Sequence, residues 1–125
     1  MGKKIILEAG SIKIGFRLNE SESAGRLAEI LPVGSQAQSW GNEIYFSIPL
    51  ELPLEDGREV LEAGDIAFWP TGSAFCIFFG PTPASTDHRP RPVSPVTLLG
   101  HIADKRDIEK LAEIGQGKPV KLKLG

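Results

Sequence analysis

The sequence predicts a mostly β protein: a closed or nearly closed β-barrel with two short α-helices on its outside or at its ends. Strand signals are short, frequent and separated by glycine and proline, which favours this architecture over a parallel α/β sheet. Two other segments carry the 3.6-residue apolar period of a helix, and both are too short to cover a large sheet. A chain of 125 residues can bury one hydrophobic core without a metal or disulfide.

The N-terminal segments illustrate the strand prediction. Lys4–Ala9 and Ile12–Leu18 flank a Gly-Ser turn, and apolar and polar residues alternate in the second segment. This pattern is typical of a hairpin with one face in water. The further strand candidates are rich in branched and aromatic residues and comprise Glu43–Ile48, Asp65–Trp69, Ala74–Phe79, Val96–Ile102 and Val120–Leu124.

Each of the two helical segments has its own start and stop signals. Ser21 or Ser23 can cap the helix predicted over Ala24–Leu31, and a proline follows it. Asp104 can cap the helix predicted over Asp107–Ile114, which a glycine ends. Caps of this kind satisfy the free N–H groups of a first helical turn, and proline or glycine then prevents continuation.

Composition argues against several classes of partner. The net charge is -2 and charged residues make up 24% of the chain, so a surface for nucleic acid is not expected. The N-terminus, Met1–Glu8, is too poor in apolar residues for a signal peptide, and no apolar run reaches the ~18 residues of a membrane span. We therefore expect a cytoplasmic protein that does not enter membranes.

The reactive side chains give no pattern for a metal or cofactor. His88 and His101 lack any neighbouring cysteine or histidine at ligand spacing, so no metal site and no cofactor are predicted. Cys76, the one cysteine, lies within an apolar strand and is expected to be a buried packing residue rather than a nucleophile. Four acids near a turn are interpreted as solvated side chains: Glu55, Asp56, Glu59 and Glu62.

Half of the chain's ten prolines fall between Pro81 and Pro95. Proline cannot donate to a β-ladder, so this stretch is predicted to be an ordered surface loop. Stiffening of the unfolded chain explains such a composition, and the alternative is a proline-rich docking peptide.

The order of these motifs resembles that of bacterial cyclophilins. They share a glycine turn before an Ile-Lys-Ile strand, a first helix, a Gly-Ser-Gln-Phe-Phe-Ile strand, a Pro-Thr-Pro segment, and a strand ending before the last helix. The similar segments here are Gly10–Ile14, Ala24–Leu31, Gly72–Ile77, Pro81–Pro83 and Leu98–Gly100.

A family of small prokaryotic cyclophilin-like proteins, formerly a domain of unknown function, is more similar still. Its hallmarks resemble Trp40–Ser47 and Gly64–Pro70 leading into Phe75–Gly80. On these motifs the chain is identified as a member of that family, a divergent relative of the cyclophilin-type peptidyl-prolyl isomerases. The resemblance implies a single cyclophilin-like domain over residues 1–125.

The same resemblance implies that the isomerase chemistry is missing. Twisting a prolyl amide faces a barrier of ~18–20 kcal/mol, and cyclophilins lower it with an arginine from a Phe-His-Arg strand. The corresponding segment here, Glu43–Pro49, has Tyr-Phe-Ser, and no arginine occurs between Arg26 and Arg58. Losing one such donor commonly costs about 10²–10³ in rate. We therefore assign no catalytic residue.

Other positions of the cyclophilin pocket also differ. Alignment places Ala74 at the usual glutamine, Cys76 at a phenylalanine, Val96 at the histidine and Arg91 at the tryptophan. Arg58 could act as a substitute donor from another strand. A solvated Arg58 paired with Glu59 or Glu62 is the simpler interpretation.

Aromatic side chains in the middle of the chain are the candidates for ligand contact. Trp69 and Trp40 stand at loop edges, where a barrel can form a small apolar pocket. The candidate ligand-binding residues are Tyr45, Phe46, Trp69 and Phe75.

We interpret the chain as a non-catalytic or weakly catalytic module that binds a peptide or a small molecule. The alternatives are a peptidyl-prolyl cis-trans isomerase with a rearranged active site, and an enzyme of another class on the same barrel. The oligomeric state is left open.

Overall fold

Across residues 2–125, which this computed structural model describes, nine β-strands form one sheet that curls into a nearly closed barrel. The strands are β1 (Lys4–Ala9), β2 (Ile12–Leu18), β3 (Val33–Gln36), β4 (Gln38–Trp40), β5 (Glu43–Ser47), β6 (Asp65–Trp69), β7 (Ala74–Phe78), β8 (Thr97–Ile102) and β9 (Pro119–Leu124). Their order is β3-β9-β1-β2-β8-β6-β7-β5-β4, with every neighbouring pair antiparallel. β3 is at one edge of the sheet, and it approaches β5, which is next to the other edge. The barrel therefore almost closes. The predicted mostly β barrel is confirmed.

Two short helices accompany the barrel, as predicted, with somewhat different bounds. α1 (Glu22–Ile30) begins two residues early because Ser21 is its cap, its hydroxyl accepting from the Ala24 N–H at 3.1 Å. The Glu55 carboxylate adds acceptors for the same turn, bonding the Ser23 N–H at 3.0 Å and the Ser23 hydroxyl at 2.7 Å. Glu55 is therefore more than the solvated acid that the sequence predicts, since it ties the start of α1 to a distant loop.

The second helix is shorter than predicted. α2 (Ile108–Leu111) follows a 3₁₀ turn, Lys105–Asp107, that Asp104 caps by accepting from the Arg106 N–H at 3.0 Å. Beyond Leu111 the chain tightens into i→i+3 bonds, with the Ile114 N–H donating to the Leu111 carbonyl at 3.1 Å. The end of the apolar stripe is thus 3₁₀-like rather than α-helical.

The sequence did not predict β3 and β4. β3 consists of Val-Gly-Ser-Gln and β4 of Gln-Ser-Trp, so neither has the apolar alternation of a strand. They exist because neighbours offer backbone partners: β3 pairs with β9, and β4 pairs with β5. Between them Ala37 is fully buried, and its N–H donates to the Lys118 carbonyl at 2.8 Å.

The barrel interior is filled by one face of each strand. Phe16, Phe46, Phe68 and Phe75 are among the fully buried residues there. Leu27 of α1 and Leu111 of α2 pack into the same cluster. No helix within residues 2–125 combines the length and the apolar character needed to cross a membrane.

β7 departs from the one-sided pattern, because all five of its residues are buried. β6 is also buried at four of its five positions. Successive side chains of a strand point to opposite faces, so these two strands are covered outside the barrel as well as inside. The covered outer face leads to the candidate site.

Candidate functional site

The outer face of β5, β7 and β6 carries a second apolar cluster, separate from the barrel core. Its buried members are Leu61, Ala67, Ala74, Cys76, Phe78 and Val96. Tyr45, Trp69 and Leu98 are partly buried against it. The strand register explains this set, since Tyr45 of β5 pairs with Cys76 of β7, which pairs in turn with Ala67 of β6.

Residues 81–95, the proline-rich loop, lie over this outer face. Within the loop the Ser85 hydroxyl donates to the Arg89 carbonyl at 2.7 Å. Two bonds tie the later part of the loop to the rest of the protein: the Leu61 N–H donates to the Pro90 carbonyl at 2.9 Å, and the Trp69 indole N–H donates to the Ser94 hydroxyl at 2.7 Å. The prolines thus belong to a cover for the sheet.

The Trp-Gly-Asn segment anchors the beginning of this loop. Gly41 has a φ of +59°, and a Cβ there would lie 2.8 Å from Pro83 Cδ and 2.9 Å from Thr82 Cα. Next to it, both the backbone and the side-chain N–H groups of Asn42 donate to the Pro81 carbonyl at 3.1 Å. Only glycine fits this left-handed close approach.

Between the outer face and the loop lies a cavity of about 220 Å³. Three aromatic side chains line it: Trp40, Tyr45 and Trp69. Pro92, Val93 and Val96 add apolar wall. The remaining lining residues are Glu43 and Cys76.

Among the described residues that line this cavity, Glu43 is the one with a carboxyl group. Its carboxyl is on the same face of β5 as Tyr45, and the residue is only 6% exposed. Burial raises the pKa of Glu43 to about 7, while a hydrogen-bonding contact with the Cys76 thiol pulls its pKa the other way. Near neutral pH this carboxyl can therefore exist in either protonation state, which is common in functional sites.

Cys76 is buried as predicted, with 1% exposure. Burial, reinforced by the nearby Glu43 carboxyl, raises the pKa of its thiol well above the ordinary value. A thiol held protonated in this way is a poor nucleophile. What the sequence did not reveal is that Cys76 also lines a cavity.

The structure separates the four predicted ligand-binding residues into two pairs. Tyr45 and Trp69 line the cavity. Phe46 and Phe75 point into the barrel, where both are buried and their ring centroids are 5.3 Å apart. The cavity therefore includes the first pair, and the second pair belongs to the core.

Sequence reasoning missed Glu43 and the cover supplied by Pro92 and Val93. A signal for both was present, because β7 is apolar at every position and must be covered on both faces. Glu43 lies two residues before Tyr45, so strand alternation places the two on one face.

The Asp65–His101 pair has a structural role. One Asp65 oxygen bonds the His101 Nδ1 at 2.7 Å, and the other accepts from the Glu62 N–H at 2.8 Å. The pair thus joins the turn before β6 to β8. His88 is exposed, and residues 2–125 contain no group of three metal-ligating side chains in one place.

Arg58, the candidate substitute donor, is exposed and pairs through its backbone with Val96, with an N···O distance of 2.8 Å. The predicted ion pair with Glu59 or Glu62 is not formed in the described part of the chain. Among residues 2–125, the cavity lining includes no arginine.

Comparison with known proteins identifies a family for this chain and a solved structure with the same fold. A family model described as cyclophilin-like matches residues 3–123. The solution structure of the hypothetical protein AF2241 from Archaeoglobus fulgidus superimposes with a TM-score of 0.82 at 31% identity, covering 99% of this chain and 95% of that chain. No match was found among curated proteins.

Proposed function

The chain belongs to the cyclophilin-like family, and we propose that it is a binding module which takes a small molecule, or one side chain of a peptide, into the outer-face cavity. The observation that carries this proposal is the composition of the lining: three aromatic side chains and an apolar loop around one buried carboxyl. Ligand sites are typically concave and apolar, with a few polar groups that fix orientation.

The size of the cavity limits its occupant. The volume of the cavity is about 220 Å³. That is smaller than the roughly 300–1,000 Å³ of sites for drug-sized ligands. A fragment-sized molecule or a single side chain fits this space, and a folded partner would have to insert one residue.

The same lining argues against efficient prolyl isomerisation. Catalysis requires a group that stabilises the twisted amide more than the planar one. The described lining residues offer a carboxyl, a thiol, a phenol and two indole N–H groups, and none of them is the arginine that cyclophilins use. The alternative is an isomerase with a rearranged active site. In that case Arg58, whose backbone pairs with that of the lining residue Val96, would supply the missing donor.

Tryptophan fluorescence tests the binding proposal, because the chain has two tryptophans and both line the cavity. The probes are neutral, cationic and anionic fragments and the tetrapeptide Ala-Ala-Pro-Phe. We expect at least one probe to change the emission saturably in the wild-type protein.

The variant Val93→Phe serves to fill the cavity from its exposed loop side, since Val93 is 62% exposed. It should abolish the fluorescence response, and Leu124→Phe, at an exposed position outside the cavity lining, should preserve it. A panel without any saturable response, or a response that survives Val93→Phe, would contradict the proposal.

A further inference from the structure

We propose, building on the function proposed above, that the cavity takes an organic ammonium ion, whose charge the Glu43 carboxylate neutralises and whose carbon groups pack against Trp40, Tyr45 and Trp69. This proposal specifies the chemical class of the ligand.

The Glu43 carboxyl lies inside the cavity without a counter-ion from the protein. Across residues 2–125 no lysine, arginine or histidine nitrogen is within 4.0 Å of it. The Cys76 thiol lies beside it in the cavity lining, and that thiol donates to the Ala74 carbonyl at an S···O distance of 3.9 Å. A buried carboxylate is costly unless it is paired, so a cation entering from solution would satisfy it.

The cavity walls favour the same kind of ligand. Aromatic faces carry negative potential and attract cations, and rings grouped around an ammonium ion are a recurrent way of binding it. The indole N–H of Trp69 is already bonded to Ser94 at 2.7 Å, which leaves its ring for packing rather than hydrogen bonding. A neutral ligand would leave the carboxylate without a counter-charge, and an anion would be repelled by it.

The predicted affinity depends on pH. The titratable side chains that face Glu43 in the cavity are Cys76 of β7 and Tyr45 of β5, and the loop contributes only Pro92 and Val93. Since burial raises the pKa of Glu43 to about 7, the carboxyl is ionised at pH 8.0 and protonated at pH 5.5. If only the ionised form binds the cation, the affinity should fall about 30-fold between these pH values.

The experiment compares cations with neutral molecules of the same shape. Choline is paired with 3,3-dimethylbutan-1-ol, and n-butylammonium with n-butanol, each titrated against tryptophan fluorescence at pH 8.0 and pH 5.5. We expect at least one cation to bind about tenfold or more tightly than its isostere at pH 8.0. Comparing the two cations separates a methylated from a primary ammonium ion.

Glu43→Gln should remove the preference for the cation, and a cooperative urea unfolding transition shows that the variant is folded. Glu113→Gln, at an exposed position on the chain, should retain the preference. Equal binding of cation and isostere by the wild-type protein overturns the inference and leaves the proposed function standing. A response to other fragments, with none to either cation, also overturns the inference and leaves the proposed function standing. If no probe binds at all, both fail.

Discussion

Replacing Glu43 by glutamine should make the protein more stable at alkaline pH, and by an amount that the structure fixes approximately. In the unfolded chain the carboxyl ionises around its ordinary value of 4.5, whereas burial holds the folded-state pKa at about 7. Between these values the folded protein binds more protons than the unfolded chain, so the free energy of unfolding falls as pH rises. A gap of about 2.5 pH units at 1.36 kcal/mol each predicts a loss of about 3 kcal/mol by pH 8.

Urea unfolding of both proteins at pH 4.5, 6.0 and 8.0 measures this loss. Glutamine does not titrate, so the stability of Glu43→Gln relative to the wild type should rise by about 3 kcal/mol across the series. For the exposed control Glu113→Gln, the stability relative to the wild type should change by less than about 0.5 kcal/mol across the same pH series. Parallel stability curves for the wild type and Glu43→Gln would refute the reasoning, because they would mean that the carboxyl is not buried.

Three further predictions concern the burial of Cys76, the close approach at Gly41 and the cap of α1. Cys76 should react slowly with a thiol reagent in the native protein and quickly after denaturation, and fast native labelling would disprove its burial. Gly41→Ala should lower the free energy of unfolding by about 1 kcal/mol or more, because alanine at a φ of +59° meets Pro83. At Gly25 an added Cβ would have no atom within 4 Å, so Gly25→Ala should instead leave the free energy of unfolding unchanged or raise it. Equal losses of stability in Gly41→Ala and Gly25→Ala would contradict this explanation. Glu55→Ala should lower the melting temperature at neutral pH. Hydrogen bonds from Ser23 lower the pKa of Glu55, so the carboxylate's contribution to stability exists above about pH 4.5 and is lost as the pH falls. An unchanged melting temperature would argue against the cap.

The barrel could be predicted where the chain alternates apolar and polar residues. Ile12–Leu18 has that alternation and forms β2 with the expected bounds. Val33–Gln36 lacks it, because three of its four residues are glycine or polar, and it becomes β3 only through backbone pairing with β9. Pairing with a distant strand leaves no local signal in the sequence.

The candidate site could be predicted only in part for a related reason. Tyr45 and Phe46 are neighbours in sequence, yet strand alternation directs one to the cavity and the other to the core. A single-residue change of register exchanges the two faces, so aromatic composition alone cannot assign them. Glu43 was overlooked because a glutamate at the start of a strand is usually in water.

Exchange NMR on a Xaa-Pro peptide is the most direct test of the central claim, that this barrel provides a binding cavity and not an isomerase site. The measurement follows Ala-Ala-Pro-Phe in the presence of micromolar protein, with tryptophan fluorescence reporting whether the peptide occupies the cavity. Without catalysis, cis and trans forms exchange over tens to hundreds of seconds. We expect that rate to remain nearly unchanged even where the peptide binds. A many-fold acceleration would contradict the account, and its loss in Arg58→Ala would identify Arg58 as the donor that the cavity itself lacks.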